Sequence, residues 1–176
     1  FFLFLFILIY FINFFVDSDI FERTITNLFI YIILVVALQI FMGNSGILSF
    51  AHIGFMSIGA YSSGLLSMPI KMKGFVLRDL YPILENVAFD PILSILIGGI
   101  FTAIIAAILT LPLMRLNDAA AVISSFALLM VIHSIVVGWS AVTNGPRTFF
   151  GLPKATTVEI ALIFSFLTVI FAFVYK

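Results

Sequence analysis

The sequence contains no cysteine, which excludes disulfide bonds, thiol chemistry and metal sites built on cysteine ligands. It is also poor in charge, because Asp, Glu, Lys and Arg make up 9% of its residues, against about 25% in a soluble domain. So few charges cannot cover a surface that faces water. The net charge is zero and Lys and Arg form no cluster, so the composition argues against a nucleic-acid partner.

What the sequence does contain is mainly apolar: 64% of its residues are hydrophobic and its mean hydropathy is +1.32. This predicts an all-α integral membrane protein, a polytopic transmembrane helical bundle. All but the first of its apolar segments are close to the roughly 20 residues that a spanning helix needs. We expect about six spans, one of them following a glycine-rich helix break, at residues 1–16, 24–42, 47–68, 91–114, 119–139 and 158–175.

The two ends of the sequence resemble cut ends. The chain begins at Phe1 instead of a methionine and finishes in an apolar run closed by Tyr175 and Lys176. Its first apolar segment is about four residues short of a comfortable span. We therefore expect the sequence to be a fragment of a longer protein.

Residues 43–64 read GNSGILSFAHIGFMSIGAYSSG and combine loop-forming residues with apolar ones. Polar, glycine-rich backbone at membrane depth is tolerated where protein or a water-filled path surrounds it. Residues Ser49, His52, Met56, Gly59 and Ser63 recur every three or four positions, so they share one face of the helix after the break. The segment is thus either a tightly packed helix crossing, a wall of a transport path, or both.

These arguments define two sets of candidate residues. The substrate-path candidates are Gln39, Asn44, Ser49, His52 and Met56. The helix-break and packing positions are Gly43, Gly46, Gly59, Ala60 and Gly64. Asn44 and Ser45 are expected to cap the following helix. We predict no metal site, since His52 has no second ligand three or four positions away, and we interpret His133 as structural.

The same segment resembles the signature G-x-x-G-x-x-S-x-G-H-x-x-F-x-x-x-G-A-Y of branched-chain amino-acid ABC importer permeases, the LivH/LivM type. The matching residues are Gly43, Gly46, Ser49, His52, Phe55, Gly59, Ala60 and Tyr61. Ala51 stands where the signature has glycine, as in the LivH variant. The resemblance covers about residues 24–176 and implies one permease domain over 1–176, without the C-terminal coupling region that docks on the ATPase.

A second motif adds to the resemblance. Residues 143–153, which include Gly151-Leu152-Pro153, are similar to the T-G-G-P…G-I-P loop of the LivM type, although Asn144 replaces one glycine. This similarity makes the chain more LivM-like. We assign a loop at the pathway mouth to Thr143, Asn144, Gly145, Pro146 and Arg147. Its Arg147 could attract an anionic group, while turn chemistry alone would also explain the loop.

The resemblance implies a permease subunit that imports Leu, Ile or Val and is not itself an enzyme, since a separate subunit would hydrolyse ATP. Implied partners are a second, homologous permease subunit in a heterodimer, cytoplasmic ATPase subunits, a periplasmic or lipid-anchored solute-binding protein and the lipid bilayer. No cofactor is implied. The location would be the bacterial inner membrane, crossed several times. Alternatives are a urea or short-amide permease and a non-transporting membrane scaffold subunit. An ion-coupled transporter would require charges in mid-span, and the apolar segments lack them.

The orientation in the membrane follows from two arguments that disagree. The family pattern puts Arg115 in the cytoplasm and residues 69–90 and 140–157 outside. The count of Lys and Arg favours the reverse, since six of them fall on the outer side in that arrangement. We adopt the family orientation, with both loops on one side.

Overall fold

The computed structural model describes residues 19–77, 79–154 and 156–175. Throughout these residues the chain forms helices and connecting loops, with no strand. The described helices are α1 (Asp19–Ser45), α2 (Ala51–Ser67), α3 (Ile70–Val76), α4 (Pro82–Glu85), α5 (Pro91–Leu113), α6 (Asp118–Gly138), α7 (Ser140–Thr143) and α8 (Val158–Tyr175). The fold is therefore that of a helical membrane protein.

The long helices match the apolar segments, with differences at their ends. Four are long and apolar enough to cross a membrane: α1, α5, α8 and, within α6, Ala119–Gly138. The third predicted span becomes α2, which has only 17 residues because the break takes up residues 46–50. The first predicted span, 1–16, lies outside the described residues. The count of six spans thus stays a prediction.

Helix α1 is longer than predicted, with 27 residues. Its first turn carries Asp19 and Glu22, and acidic side chains there interact favourably with the positive end of the helix dipole. It continues past Met42 to Ser45, so the break begins several residues later than the glycine content suggests. Glycine has a low helix propensity, but the need of a membrane-spanning segment to satisfy its backbone hydrogen bonds within the helix outweighs it here.

The described residues group into two compact units, which we treat separately. In the first, α1 packs along α8. Its core consists of Ile25 and Phe29 on α1 and Val158 and Ala161 on α8. Ser165 is also fully buried on α8, where its hydroxyl donates to the carbonyl of Leu162 at 2.8 Å.

The second unit comprises the described residues from 47 to 154, in which α2 packs against both α5 and α6. Helices α5 and α6 are joined by a very tight connection, residues 114–117. Pro112 is tolerated in the last turn of α5. Because α5 and α6 lie on either side of so short a turn, the far ends of both helices reach the same end of the unit.

At that end, the predicted loop 69–90 contains two short helices, α3 and α4, which the sequence analysis missed. They pack with residues of the 139–152 segment around Leu65, Met68, Val76 and Leu77. Phe149 and Val142 belong to the same cluster. The two loops expected on one side of the membrane thus lie against each other. We call residues 69–90 the cap.

A buried lysine holds the cap together. The Lys73 side chain is 1% exposed, and its Nζ donates to the carbonyl oxygens of Leu84, at 2.9 Å, and of Val87. The cap is also tied to α2, because the Phe89 amide donates to the Leu66 carbonyl at 2.9 Å. Lys73 therefore joins α3 to α4 without an acidic partner among the contacts of its amine, and a buried amine satisfied by carbonyls is tolerated.

Candidate functional site

The helix break begins with polar side chains that close α1. The Asn44 amide donates to the Ile40 carbonyl at 2.8 Å, and the Ser45 hydroxyl donates to the Phe41 carbonyl at 2.7 Å. Gly46 follows with a φ of +69°, a left-handed conformation that glycine adopts readily at a helix C-terminus. The expectation that Asn44 and Ser45 occupy the cap position of the next helix is wrong, because Phe50 occupies it.

The start of α2 is instead capped from a distant helix. Phe50 makes no side-chain cap, and its amide donates to the Ser125 hydroxyl of α6 at 3.1 Å. The Phe50 ring also meets Phe126 edge-on, with centroids 5.8 Å apart. Ser125 was missed by the sequence analysis. Its only signal was a pair of serines in an otherwise apolar run.

Two of the substrate-path candidates contact each other. His52 Nδ1 lies 3.1 Å from Ser49 Oγ, and both residues are half-buried. Met56 follows one turn later and is 47% exposed. An imidazole and a hydroxyl can each donate and accept hydrogen bonds, so this pair, which we call the Ser49–His52 pair, can bind a carboxylate, an ammonium or an amide.

The other path candidates belong to the first unit. Gln39 and Asn44 are exposed on α1, and Gln39 Nε2 lies 3.7 Å from the point that a Cβ on Gly43 would occupy. The structure therefore brings together Ser49 and His52, with Met56 beside them, and separately Gln39 and Gly43. In the described part of the chain, no group of three or more His, Asp or Glu could hold a metal ion.

Close helix contacts occur at some of the small residues. A Cβ on Gly59 would lie 3.2 Å from Thr102 Oγ1 on α5, and one on Gly64 would lie 3.1 Å from the Phe149 ring. Ala60, in contrast, is exposed. The tightest approach of α2 to α5 involves Gly98, which sequence analysis did not single out: its Cβ would lie 3.0 Å from the backbone nitrogen of Ser63.

The loop assigned to the pathway mouth is a hydrogen-bonded corner. The Thr143 hydroxyl is within 2.5 Å of the Val136 carbonyl and accepts from the Gly145 amide at 3.3 Å. Asn144 has a left-handed φ of 64°, and its amide donates to the Thr148 carbonyl at 3.1 Å. Thr143 and Asn144 are buried, whereas Pro146 and Arg147 are exposed. The buried polar groups are thus already used by the loop itself.

A cavity of about 550 Å³, not anticipated from the sequence, lies within the second unit. It is lined by α2, α5 and α6, with the cap and the start of the 139–143 segment at one end, and it is partly open to the outside. Ile58, Phe101, Ile105 and Ile132 are among the side chains that line it, as is Trp139, the one tryptophan of the sequence. None of the five substrate-path candidates lines this cavity.

The long apolar helices define a helical membrane protein. Comparison with known families identifies which one. The sequence model of the family described as "branched-chain amino acid transport system / permease component" matches residues 20–175. The chain therefore belongs to this family of transmembrane ABC transporter permeases. No curated protein and no solved structure matched the chain.

Proposed function

We propose that the protein is a permease subunit of an ATP-driven importer that carries Leu, Ile or Val across the bacterial inner membrane. The observation that carries this proposal is the family match over residues 20–175. A separate ATPase subunit would hydrolyse ATP, so this chain would translocate solute without being an enzyme. A second, homologous permease subunit and a solute-binding protein would complete the transporter. The similarity of residues 143–153 to the LivM loop favours the LivM-like role.

We place the solute path along the Ser49–His52 pair. Its two side chains are half-buried, which leaves part of each accessible to a solute. A branched-chain amino acid is a zwitterion with an apolar side chain. Its charged groups need hydrogen-bonding partners when they leave water, and the Ser49–His52 pair supplies them. Met56, exposed one turn further along α2, supplies an adaptable apolar surface for the side chain.

The cavity of the second unit is a poorer candidate for the path. Leu109, Ile105 and Phe101 line it, and no charged residue does so among those that the structure describes. A zwitterion would leave both of its charges without partners there. We therefore keep the cavity separate from the path.

The proposal is tested by uptake of labelled leucine into vesicles that contain the full transporter, binding protein and ATP. His52→Ala should lower uptake per assembled complex at least roughly tenfold, since a hydrogen bond to a charged group contributes about 1.5–3 kcal/mol. The matched control is His133→Ala, because His133 is exposed on α6. It should leave uptake unchanged. Normal uptake by both His52→Ala and Ser49→Ala would refute the path, and absence of any leucine uptake would refute the substrate.

Urea or a short amide is the second candidate solute. The Ser49–His52 pair carries no fixed charge of its own and offers both donors and acceptors, which suit an amide as well as a zwitterion. An excess of unlabelled urea in the same vesicles distinguishes the two. We expect leucine uptake to persist in urea. If urea itself enters in an ATP-dependent manner and leucine does not, the amide alternative is correct. If neither solute enters an assembled, ATP-hydrolysing complex, the scaffold alternative gains support.

A further inference from the structure

The cavity of the second unit borders a long stretch of α5. Along α5 it follows one face from Ile97 through Phe101 and Ile105 to Leu109. At a rise of 1.5 Å per residue, these positions extend over about 18 Å. The cavity, with a volume of about 550 Å³, thus borders α5 over several turns, and we call it the slot. A chain-shaped occupant fits this slot better than a compact one.

The lining of the slot selects an uncharged, apolar occupant. In the part of the chain that the structure describes, no Asp, Glu, Lys or Arg side chain lines it. Its serine and threonine hydroxyls are already engaged: Ser62 donates to the Gly59 carbonyl at 3.1 Å, and Thr143 bonds to the carbonyls of Val136 and Trp139. Apolar cavities of this kind stay dry and take up hydrocarbon.

The two ends of the slot differ in chemistry. Tyr81 of the cap and Trp139, after the end of α6, line it at the end where the loops meet. Tyr and Trp prefer the membrane–water interface, where an apolar ring meets a polar environment. Ile105 and Leu109 line the other end, further along the spanning helix α5. The slot therefore has the same polarity gradient, from interface to hydrocarbon, as one leaflet of a bilayer.

We propose that this slot holds one acyl chain of a bilayer phospholipid, with the lipid head group at the end formed by Tyr81 and Trp139. The surrounding bilayer provides the occupant at high concentration. The site lies apart from the Ser49–His52 pair, so it is a lipid site and not a station of the transported solute. It rests on the membrane location of the family and not on which solute is transported. The bound chain would fill the space between α2, α5 and α6.

Photo-crosslinking tests the proposal in vesicles of the full-length transporter. The probe is a phospholipid with a diazirine at the middle of one acyl chain. After mild detergent has removed loosely bound lipid, we expect label on the Ile105 and Leu109 side of α5, and less than a third as much on the adjacent, outward-facing Ile104 and Ile108 side. Ile104 and Ile108 are 55% and 63% exposed. Equal labelling of both sides after the wash would overturn the proposal.

Variants make the test specific. Ile105→Phe narrows the slot and should lower the retained label at least threefold, as should Ile97→Phe at the other end. Ile104→Phe adds the same bulk outside the slot and should not change the label. Equal labelling of all three folded variants would overturn the proposal.

Two further measurements, one with a second probe and one with a competing solute, distinguish the possible occupants. A free fatty acid with the same diazirine should label the slot weakly; stronger labelling by it than by the phospholipid would exclude a bilayer lipid. Saturating leucine should leave the label unchanged. If leucine abolished the label, the slot would belong to the solute path and the lipid assignment would be wrong.

Discussion

Two segments of the chain, 43–52 and 138–151, have similar compositions but different structures. Both place glycine, serine, threonine or asparagine between apolar helices. From the sequence we predicted substrate-path residues in the first and a loop at the pathway mouth, residues 143–147, in the second. In the second, Thr143 and Asn144 are buried and bond to carbonyls of their own neighbourhood. In the first, the Ser49–His52 pair is only half-buried. A buried polar pair that bonds to the nearby backbone holds the fold, whereas a pair that stays partly accessible can contact a solute.

The largest expected effect tests this contrast at one glycine from each segment. Gly145 has a φ of +60°, and a Cβ there would lie 3.1 Å from the Val137 carbonyl oxygen, which is backbone and cannot yield easily. Gly46 has a similar φ of +69°, but nothing lies within 4 Å of its Cβ position. Gly145→Ala should lower the free energy of unfolding by about 3 kcal/mol, from left-handed strain plus overpacking. Gly46→Ala should cost about 1 kcal/mol, from strain alone.

Thermal or denaturant unfolding in detergent measures both variants under the same conditions. The comparison depends on the difference between them. If Gly46→Ala proved as costly as Gly145→Ala, the break would be as tightly built as the corner, and the distinction between the two segments would fail.

The next prediction concerns the close contact between α2 and α5 beyond the break. Gly98 and Gly99 are adjacent on α5 but face different surroundings. A Cβ on Gly98 would lie 3.0 Å from the Ser63 nitrogen, whereas one on Gly99 meets nothing within 4 Å. Gly98→Ala should destabilise the second unit by about 1–3 kcal/mol, because backbone must shift. Gly99→Ala should be neutral or stabilise by up to about 1 kcal/mol through helix propensity. Equal unfolding midpoints would contradict a tight α2–α5 contact.

The same argument predicts that Gly59→Leu lowers the amount of assembled transporter. Its Cβ position is 3.2 Å from Thr102 Oγ1, so a longer side chain would push α5 away from α2. Comparison with Gly99→Leu, quantified as assembled complex per unit of membrane, isolates packing from added hydrophobicity. Similar amounts of complex for the two variants would remove the close-packing argument for this face.

Much of the fold followed from local features of the sequence, and the rest depended on distant partners. Hydropathy and length sufficed to predict α5, α6 and α8, because a spanning helix makes its backbone hydrogen bonds within itself. The short helices of the cap escaped prediction, since they are stabilised by packing and by Lys73 instead of by their own length. Candidate residues close together in sequence, such as Ser49 and His52, could be paired from helical spacing alone.

Two further features that the sequence did not reveal are long-range, and one error was local. Ser125 caps Phe50 from another helix, and no local pattern connects residues 75 positions apart. The apolar slot arises where three helices meet, so its lining residues look like ordinary membrane-helix residues when each is considered alone. Asn44 and Ser45 were assigned to the wrong helix, because the same side chains can bond forward to amides or back to carbonyls.

A smaller effect is expected at Ser125, which links the break to α6. Ser125→Ala removes the acceptor of the Phe50 amide. Leaving that partly buried amide without a partner should cost about 1 kcal/mol. The neighbouring Ser124→Ala is the control, and it should change stability by less than about 0.5 kcal/mol. Both are measured by the unfolding midpoint. Equal shifts for the two serines would show that the hydrogen bond from the Phe50 amide to Ser125 contributes nothing to stability.

The cap offers a comparison that needs no mutation, between Lys71 and Lys73 on α3. Lys71 is exposed, whereas Lys73 is buried and bonded to two carbonyls. Burial lowers the pKa of Lys73 below its ordinary 10.5. Between that lowered pKa and 10.5, the opened cap binds more protons than the closed cap, so closure becomes more favourable as pH rises through this window. At any pH below the window, the cost of burying the charged amine is fully present.

The last prediction follows for amine modification in the intact transporter. A neutral amine is the reactive form, so the lowered pKa alone would make Lys73 the faster of the two lysines. Burial opposes this, because acylation requires the cap to open first. We expect burial to dominate and Lys71 to react at least roughly tenfold faster than Lys73 at pH 8. The protection of Lys73 should persist or increase toward pH 9, since rising pH favours closure. Peptide mapping by mass spectrometry after brief acetylation measures both rates, and in denatured protein they should become similar. Equal rates in the folded protein, or protection lost on raising the pH, would show that Lys73 does not hold the cap.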